Sequence, residues 1–367
     1  MMHKTAQNTG EQSLPKDGVK VITVAKNKPN LTAQGSRRLL CSHKPHEINL
    51  MKTWLYTLAA LCASACGFAL PCENTDLPLW VTPQTHAQPL TQAIERAKQS
   101  VQVITYTLTD RQIIRALIQA KHHGANIQVL LDKAPYNATN TNQKAIRWLR
   151  EEHIAVKTAP QYFTNLHEKA LIIDKKTAFL MTGNFTYSGF YTQRNLYLKL
   201  TKPALVGQIE TVFQADWSER TPTLSASPLV FSPENHGRDI LRLIDSSQHS
   251  LKLYAPGFGD PAFIRALKHA AKRGVRITLL TRPKQSTGYR VMIRSLKDEG
   301  ITVLPLQTPT LHAKLIISDD RIAYLGSNNF TSTSFHHNRE LGILVCNQNL
   351  ITRLNQQFDS DSGVKAK

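Results

Sequence analysis

The sequence predicts an α/β chain of two duplicated lobes, each a mixed β-sheet flanked by helices, related by a pseudo-two-fold axis. Three observations predict it. Strands alternate with helices from about residue 75 onward, that order of elements runs twice, and each run closes on the same polar signature. Alternating strands and helices imply a sheet covered by helices on its faces. A repeat this long is a duplicated domain rather than a solenoid.

In the first copy a helical apolar period spans Leu90 to Lys98, followed by Val101-Gln-Val-Ile-Thr-Tyr, a buried strand. A helix from Gln112 to His122 stops at Gly124, and the strand Ile127-Gln-Val-Leu-Leu follows. An amphipathic helix from Lys144 to Glu152 then leads to the short strand Ile154-Ala-Val. The second copy repeats the order: helix Asp239 to Asp245, strand Leu251 to Tyr254, helix Ala262 to Lys272 ending at Gly274, strand Val275 to Leu280, helix Arg290 to Lys297, strand Ile301-Thr-Val. Local likeness supports the pairing. His122-His-Gly-Ala-Asn-Ile-Gln-Val-Leu-Leu mirrors Lys272-Arg-Gly-Val-Arg-Ile-Thr-Leu-Leu, and Leu149-Arg-Glu-Glu-His-Ile mirrors Leu296-Lys-Asp-Glu-Gly-Ile.

Ahead of the lobes, residues 1–50 are polar with no sustained apolar period. Residues 51–69 have a basic start, an uncharged apolar run and small residues, the pattern of a secretory signal peptide. Either translation begins at Met51 or the run is an uncleaved anchor; its shortness favours the first. The expected organisation is lobe 1 at 75–220, a Ser/Thr/Pro-rich linker at 221–233 and lobe 2 at 234–360. The expected location is exported, periplasmic or secreted. Cys72 and Cys346, near the two ends of the folded part, are either a bridge or two unrelated thiols.

The 367 residues carry a formal charge of +19, and a hydrophobic fraction of 41% supports a real core. The chain stays strongly basic without its leader. Such a surface attracts phosphates on nucleic acid, anionic lipid or smaller esters without choosing among them.

Each copy ends in one signature. The first reads Leu166-His167-Glu-Lys169-Ala-Leu-Ile-Ile-Asp174, then Thr182-Gly-Asn184-Phe-Thr; the second reads Leu311-His312-Ala-Lys314-Leu-Ile-Ile-Ser-Asp319, then Ser327-Asn-Asn329-Phe-Thr. Asn184 stands as far beyond His167 as Asn329 stands beyond His312. A single His-x-Lys-x4-Asp arises by chance, but two at matched places in a duplicated chain do not. On a strand, residues two apart face one side, so each His and Lys point together. Asp174 and Asp319, at an odd offset, open a turn and read as framework within the motif. Lys169 and Lys314 suit phosphate oxygens. Asn184, Asn329 and the hydroxyls of Thr182 and Ser327 are candidate phosphate donors. Two histidines at one phosphate suggest covalent catalysis, one attacking phosphorus while the other works as acid and then base. No metal or cofactor is expected on this route.

At these residues the sequence resembles the phospholipase D superfamily, whose signature is His-x-Lys-x4-Asp followed by Gly-Ser-x-Asn. The resemblance covers about residues 85–345. It implies two lobes joined through their sheets, one central site and a phosphohistidine intermediate, with the N-terminal histidine, here His167, as nucleophile. One departure is Met181, where Gly is usual, which would crowd the site. The family also places an acidic residue downstream, partnering a histidine often across the lobes. Glu340 holds that place in copy two and Asn195 in copy one, so Glu340 is expected to serve His167.

The motif specifies a phosphodiester and leaves the rest of the substrate open. The preferred reading is phospholipase D-type hydrolysis or phosphatidyl transfer of phospholipids with peripheral membrane contact. The alternative is a nuclease, since the first lobe is similar to the small one-motif bacterial nucleases of this superfamily. Tyr162, Phe163, Tyr187, Phe190, Tyr191 and Phe335 would then form stacking platforms. The expected state is a monomer containing an internal pseudo-dimer.

Overall fold

The structure, a computed structural model, describes residues 70–283 and 286–363. The polar extension and the candidate leader lie outside the described residues. Lobe 1 runs β1 (Leu79–Thr82), α1 (Gln88–Glu95), β2 (Ser100–Thr105), α2 (Arg111–His122), β3 (Asn126–Leu131), α3 (Gln143–Glu151), β4 (Ala155–Thr158), β5 (Lys169–Ile173), β6 (Thr177–Met181), α4 (Tyr187–Tyr191), β7 (Gln193–Leu200) and α5 (Pro203–Trp217). Lobe 2 repeats it as β8 (Leu229–Ser232), α6 (His236–Asp245), β9 (Ser250–Tyr254), α7 (Pro261–Lys272), β10 (Arg276–Thr281), α8 (Thr287–Lys297) and β11 (Thr302–Pro305). The short β12 (Thr310–Leu311) precedes β13 (Leu315–Ser318), β14 (Ile322–Gly326), α9 (Ser332–His336), β15 (Glu340–Val345) and α10 (Gln348–Ser362).

The sheets have one topology. The first is ordered β1-β7-β6-β5-β2-β3-β4 and the second β8-β15-β14-β13-β9-β10-β11. Along each path three parallel strands adjoin four antiparallel ones, and β12 adds an eighth strand to the first sheet, parallel to β7, so the sheets are mixed. Matching local signals start and stop the helices. Asp110 and Asp260 cap α2 and α7 by accepting two backbone N–H groups each. Gly124 and Gly274 follow those helices at φ +92 and +88, a conformation that favours glycine.

The inner faces of both sheets share a single apolar cluster with α5 and α10, through Leu196, Leu198, Val212 and Phe213 from one lobe and Leu341, Ile343, Leu350 and Leu354 from the other. Separate clusters fill the outer layers of lobe 1 and lobe 2. The lobes are therefore joined by core rather than by a thin interface. Cys72 and Cys346 form a disulfide, and the adjoining Glu73 pairs with Val345 as a parallel bridge, so the start of the described chain is held on lobe 2. No helix among the described residues is long and apolar enough to cross a membrane.

Two elements depart from the sequence expectation. Leu229–Ser232, assigned to the linker by its Ser/Thr/Pro surroundings, is the edge strand β8, paired antiparallel with β15. Helices α5 and α10 were not anticipated, and both contribute to the site.

Candidate active site

The two motifs meet because each lobe holds the other's histidine segment by its backbone. The His167 N–H donates to the Arg339 carbonyl at 2.9 Å, and the His312 N–H donates to the Arg194 carbonyl at 3.0 Å. Both arginines are clamped in turn. Arg339, fully buried, makes a two-pronged contact with Asp216 on α5, at 2.8 and 2.9 Å. Arg194 does the same with Asp361 on α10, at 2.8 and 2.9 Å. Fork-to-fork pairs of this kind define direction as well as charge.

The residue after each arginine orients the histidine of the opposite lobe. Glu340 carboxylate oxygens lie 2.9 and 3.0 Å from His167 Nδ1, and Asn195 Oδ1 lies 2.9 Å from His312 Nδ1. Each partner is itself supported: Ser327 Oγ donates to Glu340 at 2.6 Å, and Thr182 Oγ1 donates to Asn195 at 3.2 Å. With Nδ1 engaged as donor, Nε2 is the ring nitrogen left on each histidine.

Burial governs the charges. It pulls His167 down to about 4, against the opposing pull of Glu340. His312 is held well below its ordinary value by burial and then by Lys314 and Arg282. At Glu340, burial acts upward, but His167 and Lys169 overcome it and bring the carboxyl to about 2. At neutral pH the first pair is thus a neutral imidazole donating to a carboxylate. Lys169 and Lys314 are fully buried beneath the histidines, and burial lowers both, Lys169 to about 7. Their ammonium groups donate to the carbonyls of His167 and His312 respectively.

A cavity of about 520 Å³ lies over this arrangement, lined by His167, His312, Asn184, Asn329, Tyr106, Tyr136 and Arg282. Its size is ordinary for a small-molecule site, about 300–1,000 Å³. The two asparagines line it. Thr182 and Ser327 do not: both are fully buried and spend their hydroxyls on Asn195 and Glu340. They support the histidines' partners, which corrects their assignment as phosphate ligands. Met181 does not crowd the cavity either. It packs in the outer core of lobe 1, opposite Tyr197 in the β6–β7 ladder. In lobe 2 that pair is Gly326 and Gly342, where a Cβ would collide with Tyr324. The lobes fill one volume by opposite means, two large residues beside Phe179 or two glycines beside Tyr324.

Asp174 and Asp319 lie at the far ends of β5 and β13, outside the cavity lining. Asp174 accepts backbone N–H groups of Lys98, Gln99 and Ser100, and Asp319 those of Gln248, His249 and Ser250. Partial burial raises both carboxyls, but these donors hold them below the ordinary range. Asp174→Ala or Asp319→Ala is expected to lower Tm by a few degrees while kcat/KM changes less than about threefold. A thermal melt beside a kinetic assay checks this.

Of the six aromatics proposed as stacking platforms, Phe163, Phe190 and Phe335 are buried in packing, and none of the six lines the cavity. The cavity aromatics are Tyr106, which meets the His167 ring edge-on at 5.2 Å, and Tyr136. Sequence reading passed over both, and Arg282 as well. One signal was available for Arg282: it directly follows a parallel strand, at the strand end where open α/β sheets bind ligands.

A family model described as "Cardiolipin synthase, PLD-like domain" matches residues 90–217 and again 240–362. Cardiolipin synthase 2 of Bacillus anthracis is 24% identical over 323 residues, covering 75% of this chain and 62% of the relative. The chain thus spans less than two thirds of that relative's length. Among solved structures, phosphatidylserine synthase of Haemophilus influenzae superposes with a TM-score of 0.64 at 15% identity, covering 78% of this chain and 86% of the other. Polyphosphate kinase of Porphyromonas gingivalis gives 0.62 at 17% identity, covering 77% and 50%. These two likenesses speak for the fold alone. Taken with the duplicated motif and the shared cavity, the double family match means that this chain belongs to the PLD-like domain family of the cardiolipin synthases, within the phospholipase D superfamily.

Proposed function

We propose that the chain is a phosphodiesterase acting on phospholipids by hydrolysis or phosphatidyl transfer through a phosphohistidine intermediate. The observation that carries the chemistry is the crossed pairing of His167 with Glu340 and His312 with Asn195 at one cavity. His167 Nε2 attacks phosphorus while the bond to the leaving oxygen breaks, and His312 gives that oxygen a proton. His312 then takes a proton from water, or from an alcohol in the transfer reaction, as that oxygen displaces His167. Asn184 and Asn329, which line the cavity, bind the phosphoryl oxygens, and Lys169 and Lys314, buried beneath the histidines, add positive charge from behind. A bound phosphodiester brings its own negative charge, which favours the protonated forms that burial alone disfavours.

Lipid is the preferred substrate because the family model and the curated relative carry cardiolipin synthase names. Basic surface charge would favour docking on an anionic membrane. Export is part of the same proposal, since the Cys72–Cys346 bridge suits an oxidising compartment.

The test incubates the protein, with and without chelator, with phosphatidylglycerol vesicles and in parallel with plasmid DNA. Release of glycerol, or incorporation of isotope-labelled glycerol into phosphatidylglycerol, is expected, abolished in His167→Ala. DNA cleavage with intact lipid would replace the lipid reading with the nuclease one. Loss of activity on chelation would remove the metal-independent route.

A further inference from the structure

The two lobes share a topology but differ at one place beside the site. In lobe 1, residues 132–142 link β3 to α3; in lobe 2 the corresponding link from β10 to α8 is residues 282–286, less than half as long. The long link supplies Tyr136, which walls the cavity on the lobe 1 side. The short one begins with Arg282, which lines the cavity and also a second hollow of about 430 Å³.

That hollow lies between α8 and the ends of β10 and β11. Its apolar lining comes from Pro283, Ile293, Val303, Leu304 and Pro305, and Arg290 and Lys297 stand at its edge. The matching helix of lobe 1 is packed more deeply. Helix α3 buries Ala145, Ile146 and Leu149, whereas α8 buries only Leu296 and leaves Val291 65% exposed. On the opposite, inner face of the edge strand, where lobe 2 has Leu304, lobe 1 has Lys157, whose ammonium lies over the Trp217 ring. Lobe 2 thus leaves Ile293 and Leu304 only partly buried beside Arg282, the residue that borders both this hollow and the catalytic cavity.

We propose that this hollow is an acyl-chain subsite for a glycerophospholipid, with Arg282 bridging it to the phosphate in the catalytic cavity. The chemistry fits that one occupant. An apolar floor takes hydrocarbon, while cations at its edge and entrance match the anionic phosphate and carbonyl oxygens of an amphiphile. A nucleic acid backbone would leave the floor unused.

This inference rests on the lipid reading above, and its test separates the two. The substrates are dioleoyl phosphatidylglycerol in mixed micelles, monomeric dihexanoyl phosphatidylglycerol, and the chain-free diester bis(p-nitrophenyl) phosphate. The quantity read is the ratio of kcat/KM for the long-chain over the short-chain lipid, which cancels any general loss of active protein. Ile293→Trp, which fills the hollow, and Leu304→Lys, which installs the lobe 1 residue, are each expected to lower that ratio about tenfold, the contribution of roughly two buried methylenes. A ratio unchanged in both variants would overturn the subsite and leave the lipid reading intact. A wild-type protein that cleaves bis(p-nitrophenyl) phosphate but neither lipid would overturn both.

Discussion

His312→Ala is expected to turn the protein into a single-turnover reagent toward bis(p-nitrophenyl) phosphate. Nitrophenolate is a weak base and leaves without being protonated, so attack by His167 Nε2 needs no acid. One P–O bond breaks, one P–N bond forms, and the electron pair departs with nitrophenolate. Hydrolysis of the resulting phosphohistidine does need a base to take the proton of water, and His312 faces the same cavity for that purpose. The expected result is a burst of about one equivalent of nitrophenol, then turnover slowed about 10²–10⁴-fold, the usual contribution of a positioned acid–base group. His167→Ala gives no burst. Intact-mass measurement at neutral pH should find an added p-nitrophenyl phosphoryl group on His312→Ala, and peptide mapping should place it at His167. A burst in His167→Ala with the label on His312 would reverse the two roles.

How far this site was legible follows from what the lobes share. The motif is repeated and the cross-partner Glu340 is matched in register by Asn195, and reading one copy against the other exposes them. Tyr106 and Arg282 are not repeated. Pro256 and Asp132 hold their places in the other lobe, so comparison of copies discards the residues that make the cavity asymmetric. Thr182 and Ser327 were misassigned for another reason. Their hydroxyls are taken by Asn195 and Glu340 on neighbouring strands, and a ladder contact of that kind cannot be read from spacing within one strand. Strand β8 was hidden because four residues in polar, Pro-rich surroundings carry too little pattern to outweigh their neighbours.

Helices α5 and α10 show what sequence pattern omits most often. Their apolar faces bind the lobes together, and each carries an aspartate to a buried arginine beside the site. At Asp216, burial raises the carboxyl to about 6 despite Arg339. An ion pair this deep is a poor source of net stability, because desolvation offsets much of the attraction. Its value here is directional. Arg339 and Arg194 hold by carbonyl the backbone of His167 and His312, and they stand next in sequence to Glu340 and Asn195. The clamps set the register in which one lobe serves the other's histidine.

That register makes Glu340→Gln and Asn195→Asp opposite experiments. On the proposed route the His167 ring becomes positive as it attacks phosphorus, and the Glu340 carboxylate, 2.9 Å from Nδ1, would stabilise that charge. An amide keeps the contact and loses the charge, so kcat is expected to fall about 10²–10³-fold, the scale of one preorganised electrostatic partner. The pH dependence carries the sign. His167 must be unprotonated to attack, and burial sets its pKa at about 4 with Glu340 pulling it upward. Removing the carboxylate takes away that upward pull, so the acid limb of kcat/KM moves to lower pH. Asn195→Asp instead places a carboxylate against His312, which burial and Lys314 hold well below its ordinary value. The protonated acid then persists to higher pH, and the basic limb moves upward. Rate profiles extended on the acid side to about pH 2.5 and on the basic side to about pH 9 read both shifts. Equal losses with unmoved limbs in the two variants would mean that both partners only hold the rings in place, and the division into nucleophile and acid would lose its electrostatic basis.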